Sequence, residues 1–359
     1  MKKGQVISRA EPIYKTIFDE LVGKIKNEDM RKLSVNTIAD EYKVNRNTAV
    51  KVLNLLETKG WVEKIRWKGT FPVKKNKPCG YSFNVLYSFD YFYSQYLQAS
   101  PHAHAMILKG MFGSEFVNQS TMKFIFIKNE DSFETKREKL TCHGPKNGLI
   151  ILDPQPGFED LVTIARQERI PYMTATSPDL EVNMVSHKNY EGTFKAVDYL
   201  IKVSNRKKIL FLSSDKNNIW HKSRFKAYID AHQANGLEID PNLIVDLKLD
   251  NDNDIQRLVA LLKAKNKIDG IFAASFVHGE KIYDMMKILG VRIPQEVALI
   301  VFHDTPLLGK ASPTVTVVRP PLEKIGAIMI EKLVEMMDFG FRDDIRILLD
   351  DELIIREST

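Results

Sequence analysis

The sequence predicts an α/β protein in two parts, a small helical N-terminal domain and a larger α/β domain with two doubly wound lobes. Two observations carry this prediction. Lysine and arginine are concentrated near the N-terminus, where residues 1–78 hold 18 of them against 9 aspartates and glutamates. Beyond residue 80, short apolar strand patterns alternate with amphipathic helix patterns, which is typical of parallel sheets covered by helices on both faces.

Length and composition limit the class of protein. A chain of 359 residues is longer than one ordinary domain, so two or three packing units are expected. No run of about 18 uncharged apolar residues occurs, and no apolar segment follows Lys2 and Lys3, so we expect neither a membrane span nor a signal peptide. The two cysteines, Cys79 and Cys142, form no disulfide framework, which favours the cytoplasm as the location. The basic N-terminal region indicates a module that binds a polyanion.

Three helix patterns follow one another in the N-terminal region. The first runs from about residue 12 to 26, with isoleucine or leucine four residues apart on one face. The second runs from Val35 to Tyr42, with Ser34 as its predicted N-cap. The third is capped by Asn45 and ends before Gly60. A short helix followed closely by a longer one has the spacing of a helix-turn-helix.

The third helix predicts a surface that contacts DNA. Its exposed N-terminal end carries polar and basic residues, where a recognition helix meets base edges and phosphates in the major groove. These residues are Arg46, Asn47, Thr48 and Lys51. A β-hairpin pattern follows, with a basic tip that includes Lys68 and Gly69 and that suits a phosphate backbone or the minor groove. The order of these elements predicts a winged helix-turn-helix.

The N-terminal domain resembles the GntR family of winged-helix regulators over residues 12–71. The motifs that carry the resemblance are Pro12-Ile13-Tyr14, residues 38–48, residues 55–62 and Lys68-Gly69-Thr70-Phe71. The resemblance implies that Arg46 and Lys68 contact DNA. Asn36 stands where the family usually has an arginine that contacts DNA, so we include Asn36 in the predicted surface and expect a different operator sequence.

A basic stretch with Pro78 and Gly80 marks the domain boundary. The predicted organisation is a DNA-binding domain at residues 1–77, a linker at 78–80, and a larger α/β domain at 81–359. Two lobes are expected in this last domain, with the chain crossing between them near residues 176 and 315.

The second domain alternates strands and helices. Strands are predicted at residues 82–87, 124–127, 148–152, 172–175, 208–212, 244–247, 270–274 and 297–302. Helices are predicted at residues 103–117, 158–167, 191–202, 223–234, 255–264 and 279–289. This is too many strands for one doubly wound sheet of usual size, so two similar lobes are predicted. A ligand would then bind between them, at the carboxyl ends of the strands.

This second domain resembles the LacI/GalR regulators and the related periplasmic sugar-binding proteins. The most specific motifs lie at residues 290–305 and 312–326, and weaker ones surround Asp198 and Arg224. The resemblance implies that residues 81–359 form a periplasmic-binding-protein-like effector-binding and dimerisation domain. Together, the two domains are similar in layout to bacterial arabinose-responsive repressors.

Effector-binding residues are carried over from this resemblance. Arg224 lies in a motif whose arginine hydrogen-bonds vicinal hydroxyls of the effector, and a planar fork of donors suits such a pair. Ser275 and Phe276 replace an Asn-Asp pair of the family, and His303 replaces the first of two aspartates. The cleft is therefore predicted to be less acidic and more aromatic than is usual in the family.

The aromatic side chains indicate what kind of effector fits. Phe276 and Trp220 are expected to stack on the apolar face of a pyranose ring or to hold a methyl group, which favours an arabinose- or fucose-like sugar. Phe89, Asp90 and Asp153 follow strands of the first lobe and complete the predicted site. The alternative, that Phe276 packs in the core and the effector is not a sugar, stays open.

The sequence contains none of the common enzyme motifs that were considered. It has no glycine-rich phosphate loop and no Gly-x-Ser-x-Gly motif, so no cofactor is predicted. His102 and His104 point to different faces of a helix, and Cys142-His143 has no second pair at zinc spacing, so no metal is predicted.

From these features we expect a cytoplasmic homodimeric repressor of carbohydrate-utilisation genes. It binds double-stranded operator DNA, one recognition helix to each half-site, and a monosaccharide releases it. Three alternatives stay open. These are a regulator with another effector, a sugar-modifying enzyme with a fused DNA-binding domain, and a scaffold that pairs with other proteins.

Overall fold

The chain divides into two units, residues 1–79 and 80–359, and the division falls within the expected linker. The computed structural model describes residues 13–26, 33–58, 61–65, 69–72, 80–88, 102–118, 120–128, 130–141, 146–152, 157–175, 180–213, 219–247, 251–264 and 267–359.

The first unit contains three helices and a β-hairpin. In chain order these are α1 (Ile13–Lys26), α2 (Val35–Tyr42), α3 (Arg46–Thr58), β1 (Val62–Ile65) and β2 (Gly69–Pro72). The strands pair antiparallel, with Ile65 opposite Gly69. Apolar side chains from all three helices and from β1 form one core, which includes Ile17, Leu21, Ile38, Leu53, Leu56 and Val62.

Short polar contacts fix the turn between α2 and α3. Ser34 caps α2, because its side chain accepts a hydrogen bond from the Thr37 amide and the Thr37 hydroxyl accepts one from the Ser34 amide. Lys43 ends α2 in the left-handed region with a φ of 50°. Asn45 Oδ1 accepts from the Thr48 amide at 2.8 Å. Both predicted caps are therefore confirmed.

The second unit alternates strands and helices along its length. In chain order they are β3 (Ser82–Ser88), α4 (His102–Phe112), β4 (Thr121–Ile127), α5 (Phe133–Thr141), β5 (Asn147–Leu152), α6 (Phe158–Gln167), β6 (Tyr172–Ala175), β7 (Met184–His187), α7 (Asn189–Lys202), β8 (Ile209–Ser213), α8 (Ile219–Ala234), β9 (Ile244–Asp246), α9 (Asp252–Lys263), β10 (Gly270–Ala273), α10 (Phe276–Ile288), β11 (Ala298–Phe302), α11 (Pro306–Lys310), β12 (Thr316–Arg319), α12 (Leu322–Phe339), β13 (Arg346–Leu349) and β14 (Glu352–Ile354).

Two six-stranded sheets organise these elements into two lobes. The first sheet has the order β13-β7-β6-β5-β3-β4 and is parallel throughout. One of its faces packs on α4 and α12, and the other on α5 and α6. The second sheet has the order β14-β12-β11-β10-β8-β9, in which only β14 runs antiparallel. Helices α7 and α8 cover one face, and α9 and α10 the other. The predicted two-lobed, doubly wound architecture is confirmed.

The chain passes between the sheets three times, at Lys188, at Pro320-Pro321 and at residues 350–351. The sequence indicated crossings near 176 and 315. The first passage lies later because β7 still belongs to the first sheet, and the second lies later because β12 still belongs to the second sheet.

Helix α12 packs backbone to backbone against α4. A Cβ atom on Gly110 would lie 1.8 Å from the Glu323 carbonyl oxygen, and one on Gly326 would lie 2.0 Å from that of Ile107. At its far end, Asp338 Oδ2 accepts a hydrogen bond of 2.7 Å from the Tyr81 hydroxyl. Burial and this hydrogen bond raise the pKa of Tyr81. The helix therefore joins the second passage to the segment where the second unit begins.

Candidate functional sites

The exposed face of α3 carries the residues predicted to meet DNA. Arg46, Asn47 and Lys51 are exposed and Thr48 is half-buried, while the opposite face of the helix packs in the core. The ammonium of Lys51 lies 5.2 Å from the centre of the Tyr14 ring. The N-terminal end of the helix therefore presents a polar and basic surface to solvent.

Two further predicted residues lie on neighbouring elements. Asn36 is exposed in the first turn of α2. Gly69 begins β2 with a φ of 116°, a backbone conformation that favours glycine. Lys68 lies outside the described residues. An isolated bridge pairs Leu33, just before α2, with Thr70 of β2, so the hairpin is attached to the start of the helix-turn-helix.

In the second unit, the predicted effector residues gather where strands of the second sheet end. Ala274 follows β10 directly, Phe302 closes β11, and α8 is the helix that comes after β8. In parallel sheets this carboxyl edge is where ligands bind.

Arg224 is buried on α8, with 3% of its surface exposed. Its Nε donates to Asn189 Oδ1 at 2.6 Å, and its Nη1 donates to the carbonyl oxygen of Ala274. The guanidinium carbon lies 3.6 Å from the centre of the Phe302 ring. These contacts come from α7, from the residue after β10 and from β11, so they fix the orientation of the guanidinium plane.

A row of aromatic rings continues from Arg224. The rings of Phe302 and His303 meet at 5.2 Å between centroids, and those of His303 and Phe276 at 5.9 Å, both edge to face. His303 has a φ of 76°, which is costly for a residue other than glycine and is often found at functional sites. The strained backbone and the ring contacts hold the imidazole beside Phe276.

Ser275 is the N-cap of α10, and it is not a side chain that points freely into a cleft. Its hydroxyl lies 2.6 Å from His278 Nδ1, and the other ring nitrogen of His278 lies 2.9 Å from the Leu247 carbonyl oxygen. Ser275 therefore fixes the start of the helix that carries Phe276.

Asp304, next to His303, is bound to arginines. It accepts hydrogen bonds from Arg356 at 2.7 and 2.9 Å and from Arg319 at 2.5 and 3.1 Å. Burial raises the pKa of Asp304, but the hydrogen bonds from Arg356 and Arg319 outweigh it and the pKa is lowered. The carboxylate therefore stays ionised and holds this corner of the second lobe together.

Trp220 is held by residues that the sequence analysis did not select. Its ring stacks on His187, with centroids 5.6 Å apart and 6° between the planes, and its carbonyl oxygen accepts from Asn189 Nδ2 at 2.9 Å. His187 Nδ1 lies 2.9 Å from Asp351 Oδ1. His187 and Asn189 flank the end of β7, a strand that the sequence analysis missed, so the carboxyl end of that strand was not considered.

The structure thus brings Trp220, Arg224, Ser275, Phe276 and His303 to one edge of the second sheet. Phe89, Asp90 and Asp153, predicted on the first lobe, lie outside the described residues. Beside His303, a cavity of about 670 Å³ opens between the lobes. Its lining includes Arg319 from one lobe and Met106 from the other.

Neither a cluster of metal ligands nor a membrane-spanning helix occurs in the described part of the chain. It contains no group of three His, Cys, Asp or Glu side chains arranged to hold a metal ion. No helix within the described ranges is long and apolar enough to cross a membrane.

Two family models match the chain. The model of bacterial regulatory proteins of the gntR family matches residues 13–71, and the model of the periplasmic binding protein-like domain matches residues 197–359. The first spans the helix-turn-helix and hairpin, and the second contains the predicted residues of the second lobe.

Curated relatives with related layouts are transcription regulators. The chain is 22% identical over 343 residues to the arabinose metabolism transcriptional repressor of Geobacillus stearothermophilus, covering 90% of this chain and 89% of that protein. It is 27% identical over 221 residues to the transcriptional regulator CelR of Thermobifida fusca. That second match covers 59% of this chain and 63% of CelR, so it spans less than two thirds of the relative.

Solved structures share the fold. A CelR–cellobiose complex superposes with a TM-score of 0.63 at 20% identity, covering 91% of this chain and 100% of that one. A LacI-family regulatory protein from Chloroflexus aggregans gives a TM-score of 0.65 at 20% identity, covering 77% of this chain and 98% of the other.

Proposed function

We propose that the chain is a transcription regulator, in which an N-terminal DNA-binding domain similar to the gntR family is joined to a periplasmic binding protein-like domain, and that it represses carbohydrate-utilisation genes until a small sugar binds between its lobes. The observation that carries the proposal is the aromatic and basic cluster around Arg224, at the sheet edge where such a fold binds ligands.

The DNA-binding part of the proposal rests on the exposed end of α3. Arg46, Asn47, Thr48 and Lys51 would meet base edges and phosphates in the major groove. Asn36, Lys68 and Gly69 would contact the DNA beside them. We propose a homodimer that places one recognition helix in each half-site of a palindromic operator, and that acts in the cytoplasm, where such DNA is found.

The effector part rests on the chemistry of the second lobe. Trp220, which is half-buried, is proposed to supply a flat apolar surface of the kind that packs on sugar rings. Phe276 is only 8% exposed and packs in the core of the second lobe, so its proposed contact with the sugar is limited to the edge of the ring, beside the buried His303. Arg224 is held in one orientation, as a donor to vicinal hydroxyls needs to be. Phe89, Asp90 and Asp153 are proposed to complete the site from the first lobe. The names of the relatives point to arabinose and cellobiose as sugars to test, and the aromatic surfaces add fucose.

We propose that sugar binding changes the angle between the lobes and that residues 78–80 pass this change to the DNA-binding domains. The coupling is reciprocal, because the sugar must lower the affinity for DNA by the same factor by which DNA lowers the affinity for the sugar.

The experiment that tests this function measures sugar binding and DNA release on the same preparation. Arabinose, fucose and cellobiose are screened by thermal unfolding, since a ligand of the native state raises the melting temperature by mass action. A duplex selected from random sequences then serves as the operator in fluorescence anisotropy. We expect one sugar to raise the melting temperature and to release the duplex. A folded protein that binds the duplex but responds to no sugar would contradict the sugar effector, and conversion of a sugar would favour an enzyme.

A substitution at Arg224 separates the two activities. Arg224→Lys keeps the positive charge but removes the planar fork, so we expect sugar affinity to fall about tenfold while affinity for the duplex is kept. Lys222→Ala, on an exposed position of the same helix, is the matched control and should change neither. Equal sugar affinity in Arg224→Lys and the unchanged protein would remove Arg224 from the site.

A further inference from the structure

Two of the three passages between the lobes meet through a buried pair of side chains. His187 is the last residue of β7 and is 3% exposed, and Asp351 lies between β13 and β14 and is 7% exposed. Nδ1 of the histidine lies 2.9 Å from Asp351 Oδ1 and 3.0 Å from Oδ2. The first and third passages are thereby joined.

The histidine ring also covers the indole of Trp220. The two rings are nearly parallel, at 6° and 5.6 Å between centroids, and the Phe302 ring lies 5.9 Å from the imidazole on a tilted plane. Trp220 itself stays half-buried. Residues of the passages and of the second lobe therefore meet at one aromatic stack.

Asn189, the residue after the first passage, binds α8 through the backbone of Trp220. Asn189 begins α7, and its side-chain nitrogen Nδ2 donates to the Trp220 carbonyl oxygen at 2.9 Å. Its amide oxygen accepts from Arg224 Nε at 2.6 Å. Both Trp220 and Arg224 thus take their positions from residues 187–189.

Gly192 makes room for this arrangement. A Cβ atom at this position of α7 would lie 2.7 Å from Asp351 Oδ2 and 2.8 Å from Asp351 Cβ. Any larger residue would displace the carboxylate that holds His187. The position of the His187–Asp351 pair therefore depends on the packing of α7 as well as on the hydrogen bond between the two side chains.

We propose that His187 is a positioning residue of the effector site: tethered by Asp351, it sets the plane of the Trp220 ring on which the effector stacks. This rests on the proposed function, since it takes Trp220 as part of the site. The consequence is a direct connection between ligand and hinge. When the lobes close, the passages rotate, and the imidazole and the indole move with respect to each other.

A positioning role differs from ordinary core packing in what it does to Trp220. If His187 only fills space, its loss lowers stability and leaves the motion of the indole unchanged. If it sets the ring plane, its loss frees the indole to move on the picosecond-to-nanosecond scale. The fluorescence of Trp220 can distinguish the two roles in the absence of any sugar.

The test uses the full chain with Trp61→Phe and Trp67→Phe, which leaves Trp220 as the one tryptophan of the three in the sequence. In this background we expect His187→Ala to increase the amplitude of the fast anisotropy decay about twofold, because a side chain without its stacking partner changes rotamer on that timescale. His187→Phe, which restores a flat ring, should return the decay towards that of the unchanged protein. Should His187→Ala fail to fold, His187→Leu fills the volume without a flat face and is read in the same way.

His232→Ala is the matched control. His232 is also buried, and its ring lies 4.2 Å from that of Tyr228 within the second lobe. Its loss should lower the melting temperature without changing the Trp220 decay. An unchanged decay in His187→Ala, or an equal change in His232→Ala, would overturn the proposal.

Titration with arabinose and cellobiose tests the role of His187 in sugar binding. For a sugar that the unchanged protein binds, we expect His187→Ala to weaken the affinity about three- to tenfold, and His187→Phe to recover most of it. Full affinity in His187→Ala would overturn the role in binding. If the unchanged protein responds to neither sugar, the proposed function is contradicted for both, while the Trp220 decay still decides whether His187 positions the ring.

Discussion

At the scale of single residues, Arg224 depends on neighbours that are distant in sequence. Its guanidinium is held by Asn189, by the carbonyl of Ala274 and by the ring of Phe302. The motif around Arg224 was enough to select it from the sequence. Asn189 and Phe302 could not be selected, because their contribution depends on which strands end side by side. That neighbourhood is a property of the sheet order and not of local sequence.

Local sequence is equally insufficient for Asp304, the residue that follows His303. The sequence shows that a histidine and an aspartate follow the aromatic residue Phe302. It does not show that Asp304 is bound by Arg319 and by Arg356 from near the C-terminus. Local sequence thus identifies which residue types are present, and tertiary contacts decide which of them remain available to a ligand.

The most informative single change in the DNA-binding domain is Arg46→Ala. Arg46 is exposed at the first position of α3, so its substitution would remove the proposed donor to base edges or phosphates without disturbing the core. We expect affinity for the selected duplex to fall about tenfold, with sugar affinity unchanged. Fluorescence anisotropy of the labelled duplex measures the first and thermal shift the second.

The control for this change is Lys15→Ala, an exposed basic residue on α1 that removes the same charge away from α3. It should have a much smaller effect on the duplex. If both variants lose affinity equally, the contribution of Arg46 is general charge, and its assignment to the recognition surface is wrong.

At the scale of elements, prediction succeeded where one face of an element is buried and its ends carry caps. Helix α6 was predicted at its observed bounds, and α3 begins directly after the predicted cap Asn45. Strand β7 was missed because its four residues include the polar Ser186 and His187, although all four are buried. Helix α12 was missed because apolar residues such as Ile328 and Met337 lie between its buried positions and obscure the pattern, although the buried positions themselves recur three and four residues apart on one face.

The close packing of α4 on α12 predicts large effects for small substitutions. Gly110→Ala and Gly326→Ala each place a methyl group within 2.0 Å of a backbone carbonyl oxygen of the other helix, so the helices must separate. We expect each change to lower the free energy of unfolding by about 3 kcal/mol. Urea unfolding followed by circular dichroism measures this.

Gly23→Ala serves as the opposite control. Gly23 lies within α1, and no atom comes within 4 Å of the added Cβ. Alanine is the better helix former, so this change should stabilise the first unit by up to about 1 kcal/mol. Tolerance of alanine at Gly110 and Gly326 would mean that the two helices are not packed as closely as the structure has them.

At the scale of the whole molecule, charge distribution and strand–helix alternation were sufficient to predict two domains and two lobes. The points at which the chain changes lobe were displaced by one strand in the first passage and by a few residues in the second. A strand has the same apolar pattern whichever of two similar sheets it joins. Sheet membership follows from the packing of the assembled lobes, which local patterns do not record.

Two buried histidines predict how the stability of the whole molecule depends on pH. Burial lowers the pKa of both His232 and His278, although a backbone hydrogen bond to each partly raises it. Below pH 6.5, the ordinary pKa of histidine, the unfolded chain therefore binds protons that the native state does not bind. Stability should be full above pH 6.5 and should decrease as the pH falls below it.

Urea midpoints measured between pH 8 and pH 5, a range of about three units around the histidine titration, test this dependence. His232→Leu, which has similar size and does not titrate, should have a shallower dependence than the unchanged protein. A midpoint that stays constant or rises towards low pH would show that these histidines are protonated in the native state.

The contacts at the two ends of α12 have a mechanical consequence. Its 18 residues span about 27 Å, from the second passage to Asp338, which binds Tyr81 at the start of the second unit. A rigid helix of that length converts a small rotation at one end into a displacement at the other: a tilt of about 5° at the passage displaces the far end by roughly 2 Å. That displacement is more than half of the rise of about 3.4 Å between successive base pairs, so the proposed closure of the lobes would move Tyr81, at the start of the second unit, by a distance comparable to one base-pair step.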